Sequence, residues 1–372
     1  MKQISNSLRD HNTFKLGIFG INCDSGVAVT KVKERWNNSW DNNLAISLLA
    51  EEAGLDYILS ASRWLGFGGE TNFHANTLDV IAWAAALLAS TRNIAIVATV
   101  HTSLHNPVIF AKQMATMDHI GRGRLGINVV CGWNKPEFDA VGNALLAHAD
   151  RYEQAQEWID ILRKLWQGGD PFDYQGKYFK LKQVYTQPVP LQVDIPFFNG
   201  ANSERGKDFA VRNVDNLFML PISLEQLQQD IEAAKAMEAR AGRKTPLNYT
   251  SFTPIICRPT RKEAEDYLHY YAQENADWQA VDNIISTLVG NTRLFPEDVW
   301  RRFRFQFAAG HGGYPLVGAP DDIADSIEQL YRIGISGTAL TFVNYLEEFP
   351  YFRDEVLPRL VKRGLRKNTS MQ

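Results

Sequence analysis

Side chains able to do chemistry are few in this 372-residue chain, and their spacing excludes several chemistries at once. Cys23, Cys131 and Cys257 are odd in number and show no CxxC spacing, which argues against a disulfide scaffold and a structural zinc site. His101 and His105 are four apart, but Pro107 follows them and places them on a loop instead of one helix face. No HExxH and no acidic calcium loop occurs, so no metal site is expected. No GxSxG elbow is present. Cys131 stands just after an apolar run, where a thiol nucleophile could sit, although most free cysteines only pack. A literal GxGxxG runs from Gly121 to Gly126, but a helical pattern precedes it and an apolar run follows. The dinucleotide fingerprint needs the opposite order, so this one reads as a turn.

Three constellations remain. The segment FNGANS at 198–203 closes a short apolar run and opens a helix that Ser203 or Asn202 can cap. From Gly200 to Ser203 the same turn offers free N–H groups and the positive end of a helix dipole to an anion. Arg151 and Tyr152 open another helix, placed to reach a phosphate or to pair with a carboxylate. Trp64, Phe67 and Trp133 lie in loops, where they either wall an apolar pocket for a flat ligand or simply cover the end of a core.

The elements that must hold these residues alternate. Apolar runs near 14–21, 57–59, 94–100, 125–130, 195–198, 217–220, 249–257 and 337–342 read as strands. Amphipathic stretches from about 41, then near 78–90, 107–120, 149–166, 203–212, 224–241, 261–274 and 319–332, with a terminal one to about 363, read as helices. The run at 94–100 is apolar on both faces, as a strand between a core and a helix layer must be. Eight such βα units predict a (β/α)8 TIM barrel, with a doubly wound sheet as the other arrangement. Residues 168–193 look like an excursion, a hairpin, and 275–312 mixes helix and loop signals. No Ser- or Pro-rich linker interrupts the chain, so one domain over 1–372 with insertions near 168–193 and 275–312 is expected.

Lys plus Arg number 39 and Asp plus Glu 42, a net charge of -3, so a chain built to neutralise nucleic-acid phosphates is not expected. No apolar run approaches the ~18–20 residues of a membrane span, and the opening MKQISNSLRDHN lacks the apolar core of a signal peptide. The expectation is a cytoplasmic enzyme acting on a small molecule, without membrane or nucleic-acid partners.

The segments 44–57, 111–118, GRLGINVV at 123–130 and HADRYE at 148–153 together resemble the bacterial luciferase-like flavin monooxygenases, over nearly the whole chain from about Lys15 to Leu365. The last two, in that order, are specific to that family. The resemblance implies a TIM barrel with an excursion, reduced FMN (FMNH2) and O2 as co-reactants, and a separate flavin reductase that uses NAD(P)H. It also implies a homo-oligomer, a dimer or tetramer. It gives Leu59 and Thr99 the lining of the small pocket where oxygen meets the flavin, and Asn128 a hydrogen bond to the isoalloxazine edge or to the oxygen. Ser62 and Arg63 would meet the flavin from the loop after the second strand. Glu137 would hold the ribityl chain, and Arg151, Tyr152 and Ser203, beside Gly200, the phosphate. In such a site the cofactor does the difficult step while the protein orients it and limits water. His101, His105 and His311 are candidates for substrate contact or proton transfer, because histidine titrates near neutral pH.

Within the family, LGFGG at 65–69 with Thr71, NVVCGWNKPE at 128–137 and LTFVNYL at 340–346 resemble the members that open a pyrimidine ring. SGVAV at 25–29 and the helix after the first strand resemble members acting on a sulfone. Members that cleave alkanesulfonates use a cysteine after the second strand and an arginine and a histidine in the seventh. This chain has no cysteine at the first place and Phe252 and Pro254 at the others, so cleavage by those residues is not expected. The leading expectation is a two-component monooxygenase that oxidises a small heterocyclic, pyrimidine- or amide-like substrate. The alternatives are a monooxygenase of a sulfone or other small organosulfur compound, and a flavin-binding barrel without oxygenase activity.

Overall fold

A strand covered on both faces carries an uninterrupted apolar run, and residues 95–101 are buried at every position. The computed structural model describes residues 6–9, 12–220, 223–289 and 297–367. Along the chain lie β1 (Lys15–Phe19), α1 (Trp40–Glu52), β2 (Tyr57–Leu59), α2 (Val80–Ser90), β3 (Ala95–His101), α3 (Pro107–Ile120) and β4 (Leu125–Val130). Then come α4 (Lys135–Ala140), α5 (His148–Trp166), a hairpin of β5 (Phe172–Gln175) and β6 (Lys180–Val184), β7 (Phe197–Gly200), α6 (Glu204–Asn213), β8 (Asn216–Phe218) and α7 (Leu224–Ala241). The chain continues through β9 (Asn248–Cys257), α8 (Arg261–His269), a π turn (Tyr270–Glu274), α9 (Trp278–Val289) and α10 (Glu297–Gly310). It ends with β10 (Leu316–Gly318), α11 (Pro320–Arg332), β11 (Gly337–Thr341), α12 (Tyr345–Glu355) and α13 (Leu357–Lys362).

The strands β1, β2, β3, β4, β7, β8, β9 and β11 pair in parallel, and β11 pairs back onto β1, with Lys15 opposite Gly337. The result is a closed eight-stranded barrel ringed by helices, a TIM barrel, as the alternation predicts. Alternate strand residues face opposite sides. Tyr57, Leu59, Ala95, Val97, Phe198 and Phe252 fill the interior, while Ile18, Ile58, Ile96, Ala98, Ile127 and Val129 join the layer under the helices. The strand expected over 195–198 begins instead at Phe197, since Pro196 has no N–H for the ladder. The excursion at 168–193 is the β5–β6 hairpin. The mixed stretch at 275–312 folds as α9 and α10, with 290–296 outside the described residues. Short β10 adds to β9 outside the closed ring, and the apolar pattern did not reveal it.

Side chains set the helix starts. Asp79 accepts the N–H groups of Ile81 and Ala82, Asn106 that of Val108 ahead of Pro107, and Thr260 with Glu263 forms a capping box. Loops at the C-terminal ends of the strands are tied together. The Thr71 N–H and hydroxyl donate to Asp277 Oδ2 at 2.7 and 2.8 Å, joining the loop after β2 to the insertion 206 residues later. Gly69, at φ +76°, passes so close that a Cβ would lie 2.4 Å from Asp277 Oδ1. Lys31 N–H donates to the Asn275 carbonyl at 2.7 Å, which adds the loop after β1.

Candidate active site

The expected site residues gather at the C-terminal ends of β2, β3, β4 and β7, the end that carries the chemistry in such barrels. Leu59 closes β2 and is buried. Thr99 on β3 stands in register with Asn128 on β4, and Asn128 Nδ2 donates to Thr99 Oγ1 at 3.1 Å. Thr99 is held in turn by its N–H to Ser60 Oγ at 2.9 Å and by its hydroxyl to the Ser60 carbonyl. On β7, Asn199 Nδ2 donates to the Val129 carbonyl at 2.6 Å. These bonds use the amide donors and leave Asn128 Oδ1 and Asn199 Oδ1 buried with no partner among the described residues, as are His101 Nδ1 and Thr102 Oγ1. An unpaired buried polar group costs about 1–3 kcal/mol, so such groups at the C-terminal ends of β3 and β4 fit a polar ligand.

The loop after β2 forms one wall. Glu137 on α4 is fully buried, and its Oε1 accepts the N–H groups of Trp64 and Leu65 at 3.0 and 3.4 Å, while Oε2 has no partner among the described residues. Ser62 is buried and gives its carbonyl to Arg63 Nη1 at 2.7 Å. The Arg63 guanidinium lies 4.9 Å from the Trp133 ring centroid and 5.4 Å from that of Phe67. Those two rings stack at 6.2 Å and 15°. Burial lowers the Arg63 pKa, and the nearby Glu137 carboxylate opposes that shift. Trp64 meets His101 edge-on at 5.5 Å.

A second group sits where α5 and α6 begin. Ser203 caps α6 by accepting the Gly206 N–H at 3.1 Å, with His148 Nε2 at 3.3 Å on the same hydroxyl. Burial raises the Tyr152 pKa, and a hydrogen bond from Ser203 partly offsets it. Gly206 is needed there, since a Cβ would lie 2.5 Å from the Tyr152 hydroxyl. Arg151 donates to the Gly132 carbonyl and keeps a buried, unpartnered Nε. Gly200 ends β7 and is exposed beside this group.

The histidines differ from expectation. Burial, then the Arg63 charge, then His105 push His101 down to about 3. Burial and Arg63 do the same to His311, also to about 3. The expectation that these groups titrate near neutral pH therefore fails. Both are neutral imidazoles at physiological pH, suited to hydrogen bonding and too weakly basic to hold a proton there. His105 is lowered by burial as well. Sequence reasoning missed His74, which stacks on Phe73 and lies 5.7 Å, ring to ring, from His311. Only its contact with a distant loop reveals it, and no local pattern carries that signal. Burial pushes the Cys131 thiol up to about 12, which disfavours the thiolate that a nucleophile needs.

Cavity volume alone points elsewhere. A cavity of about 1170 Å³ opens at the opposite end of the barrel, beside the first residues of β1, β2, β7, β8 and β9. The candidate site is placed instead by the C-terminal ends of the strands, where His101 Nδ1 and Asn128 Oδ1 are buried without a partner among the described residues. Among the described residues no group of three or more His, Cys, Asp or Glu side chains gathers as round a metal ion, and no helix is long and apolar enough to cross a membrane.

The sequence matches the luciferase-like monooxygenase family over residues 16–337. The chain belongs to this family. Among luciferase-like relatives, it is 31% identical over 343 residues to the FMNH2-dependent dimethylsulfone monooxygenase of Pseudomonas putida, covering 91% of this chain and 92% of that one. It is 27% identical over 354 residues to a pyrimidine monooxygenase of Variovorax paradoxus, covering 94% and 95%. The structure of DmoA from Hyphomicrobium sulfonivorans superposes with a TM-score of 0.86 at 20% identity, covering 96% and 90%, and so shares the luciferase-like fold.

Proposed function

We propose that this chain is the oxygenase component of a two-component system: it takes FMNH2 from a separate NAD(P)H-using flavin reductase and uses O2 to oxidise a small heterocyclic, pyrimidine- or amide-like substrate. The observation that carries the reading is the pair of buried polar atoms His101 Nδ1 and Asn128 Oδ1, without partners among the described residues, at the ends of neighbouring β3 and β4, with Arg151, Tyr152 and Ser203 where α5 and α6 begin. Bound reduced flavin supplies the electrons that activate oxygen. The chain's own groups do the rest. Ser203, Tyr152 and the free Arg151 Nε fit a phosphate at the start of α6, where the helix dipole favours an anion. Glu137 Oε2 is the free acceptor for ribityl hydroxyls, and Asn128 Oδ1 for a ring N–H. Ser62 and Arg63 would border the flavin ring, and Trp133 and Phe67 present flat apolar faces to it. Leu59 and Thr99 close the barrel floor and keep water from the reacting atoms.

The test is an anaerobic titration with reduced FMN, followed by oxygen labelled with ¹⁸O and a panel of ring substrates. Tight binding of the reduced cofactor and substrate-dependent incorporation of one labelled atom support the reading, and absence of both overturns it. The 31% identity to a dimethylsulfone monooxygenase favours a sulfone as the second substrate reading, and sulfinate release would decide for it. The proposal places the enzyme in the cytoplasm as a dimer or tetramer, which the resemblance supports.

A further inference from the structure

Two histidines stand beyond the strand ends. His74 lies in the loop after β2 with a left-handed backbone, φ 64°, and is 2% exposed. His311 follows α10. Phe67 and Phe73 contact both rings, and Phe307 contacts His311. Phe67 also stacks on Trp133 and takes the Arg63 cation, so the pair shares the wall of the candidate site.

Hydrogen bonding fixes the chemistry of His74. Its Nε2 lies 2.6 Å from the Gly26 carbonyl. A carbonyl can only accept, so Nε2 carries the proton and a neutral His74 holds a lone pair at Nδ1. Burial, His311 and Arg63 together keep the ring neutral. Nδ1 is buried and has no partner among the described residues. His311 Nδ1 is also buried and unpartnered, and no hydrogen bond among the described residues fixes its tautomer. One ring is thus a fixed acceptor, and its neighbour can act as donor or acceptor.

We infer that His74 and His311 read a ligand edge carrying an N–H donor beside an oxygen acceptor, the edge of a cyclic amide. The inference rests on the monooxygenase reading above and names its substrate class. A lactam N–H satisfies His74 Nδ1 while its carbonyl accepts from His311. A sulfone has oxygen acceptors and no donor, so it leaves His74 Nδ1 buried and unpaired. Sites built to hydrogen-bond a donor reject analogues lacking it far more strongly than apolar pockets sort methyl groups.

The experiment is ¹⁵N NMR of histidine-labelled full-length chain, with His74 assigned by through-bond connectivity, alone and then with reduced FMN. The probes are uracil, 1,3-dimethyluracil and dimethyl sulfone. The expected result is an Nε2–H tautomer for His74 before any ligand, an Nδ1 shift with uracil only, and uracil binding at least about tenfold tighter than either donor-free probe. His74→Phe should abolish that preference. An Nδ1–H or charged His74, equal binding of the three probes, or binding of none overturns the inference. Loss of reduced-FMN binding with the uracil preference intact overturns the monooxygenase reading and leaves the donor-reading pair standing.

Discussion

Asn128 donates to Thr99 at 3.1 Å across registered strands, which commits its amide N–H to the barrel and leaves its carbonyl oxygen buried and unpaired. Orientation is therefore set by the protein, and the free acceptor by what binds. Asn128→Leu should weaken reduced-FMN binding about tenfold, the worth of one ordinary hydrogen bond. Stability should change by less than about 1 kcal/mol, because Thr99 keeps both bonds to Ser60 and the unpaired acceptor is removed. Anaerobic titration and urea unfolding measure the two effects; a collapse of stability with unchanged binding would assign Asn128 a purely structural role.

Arg151 predicts a discrimination between cofactor forms. Arg151→Met should cost reduced FMN about 1.5–3 kcal/mol of binding, the range for hydrogen bonds to charged groups. Reduced riboflavin, which has no phosphate, should bind as before. Equal losses for both ligands would remove Arg151 from the phosphate site.

Acid stability should carry the signature of buried histidines. His101 and His311 are pushed down to about 3 from 6.5, and His74 is lowered as well. Between those values the unfolded chain binds more protons than the folded one, so stability rises with pH in that window. It is complete above about pH 6.5 and is lost as pH falls toward about 3, by up to about 1.4 kcal/mol per pH unit for each fully buried ring. His311 contributes less, since part of its surface is open. Urea midpoints measured at successive pH values should fall below neutrality, and His101→Gln should flatten the slope. A midpoint independent of pH from neutrality to mild acid would contradict the burial of these rings.

Thiol chemistry gives an independent check. Burial pushes Cys23 up to about 11, and Cys131 and Cys257 up to about 12. The native chain should leave the disulfide reagent DTNB untouched at mildly alkaline pH, and the urea-unfolded chain should react at all three positions. Rapid labelling of Cys131 in the native state would reopen its reading as a nucleophile.

The barrel was legible because its strands are covered on both faces, and 95–101 shows this as a run with no polar interruption before Thr99. Ser203 follows from its capping position, whereas Thr99 and Asn128 are named only through the family resemblance, and their register across β3 and β4 is a finding of the structure. What stayed hidden depends on contacts between distant loops. His74 is defined by the Gly26 carbonyl 48 residues away, and its own neighbours carry no periodicity. Burial likewise turned the expected titrating histidines into neutral ones, and no local pattern around His101 or His311 announces how deeply a folded loop covers it.

Asp277 binds Thr71 through both N–H and hydroxyl, and Gly69 beside it leaves no room for a side chain. The two segments meeting there are far apart in the gene yet act as one moulded part. Exchanging the 275–312 insertion with that of a relative would disturb the loop carrying Arg63, Phe67 and His74 unless residues 64–76 travelled with it. New specificities built on this scaffold should therefore be transplanted as a matched pair of segments, with the strands left as the fixed chassis.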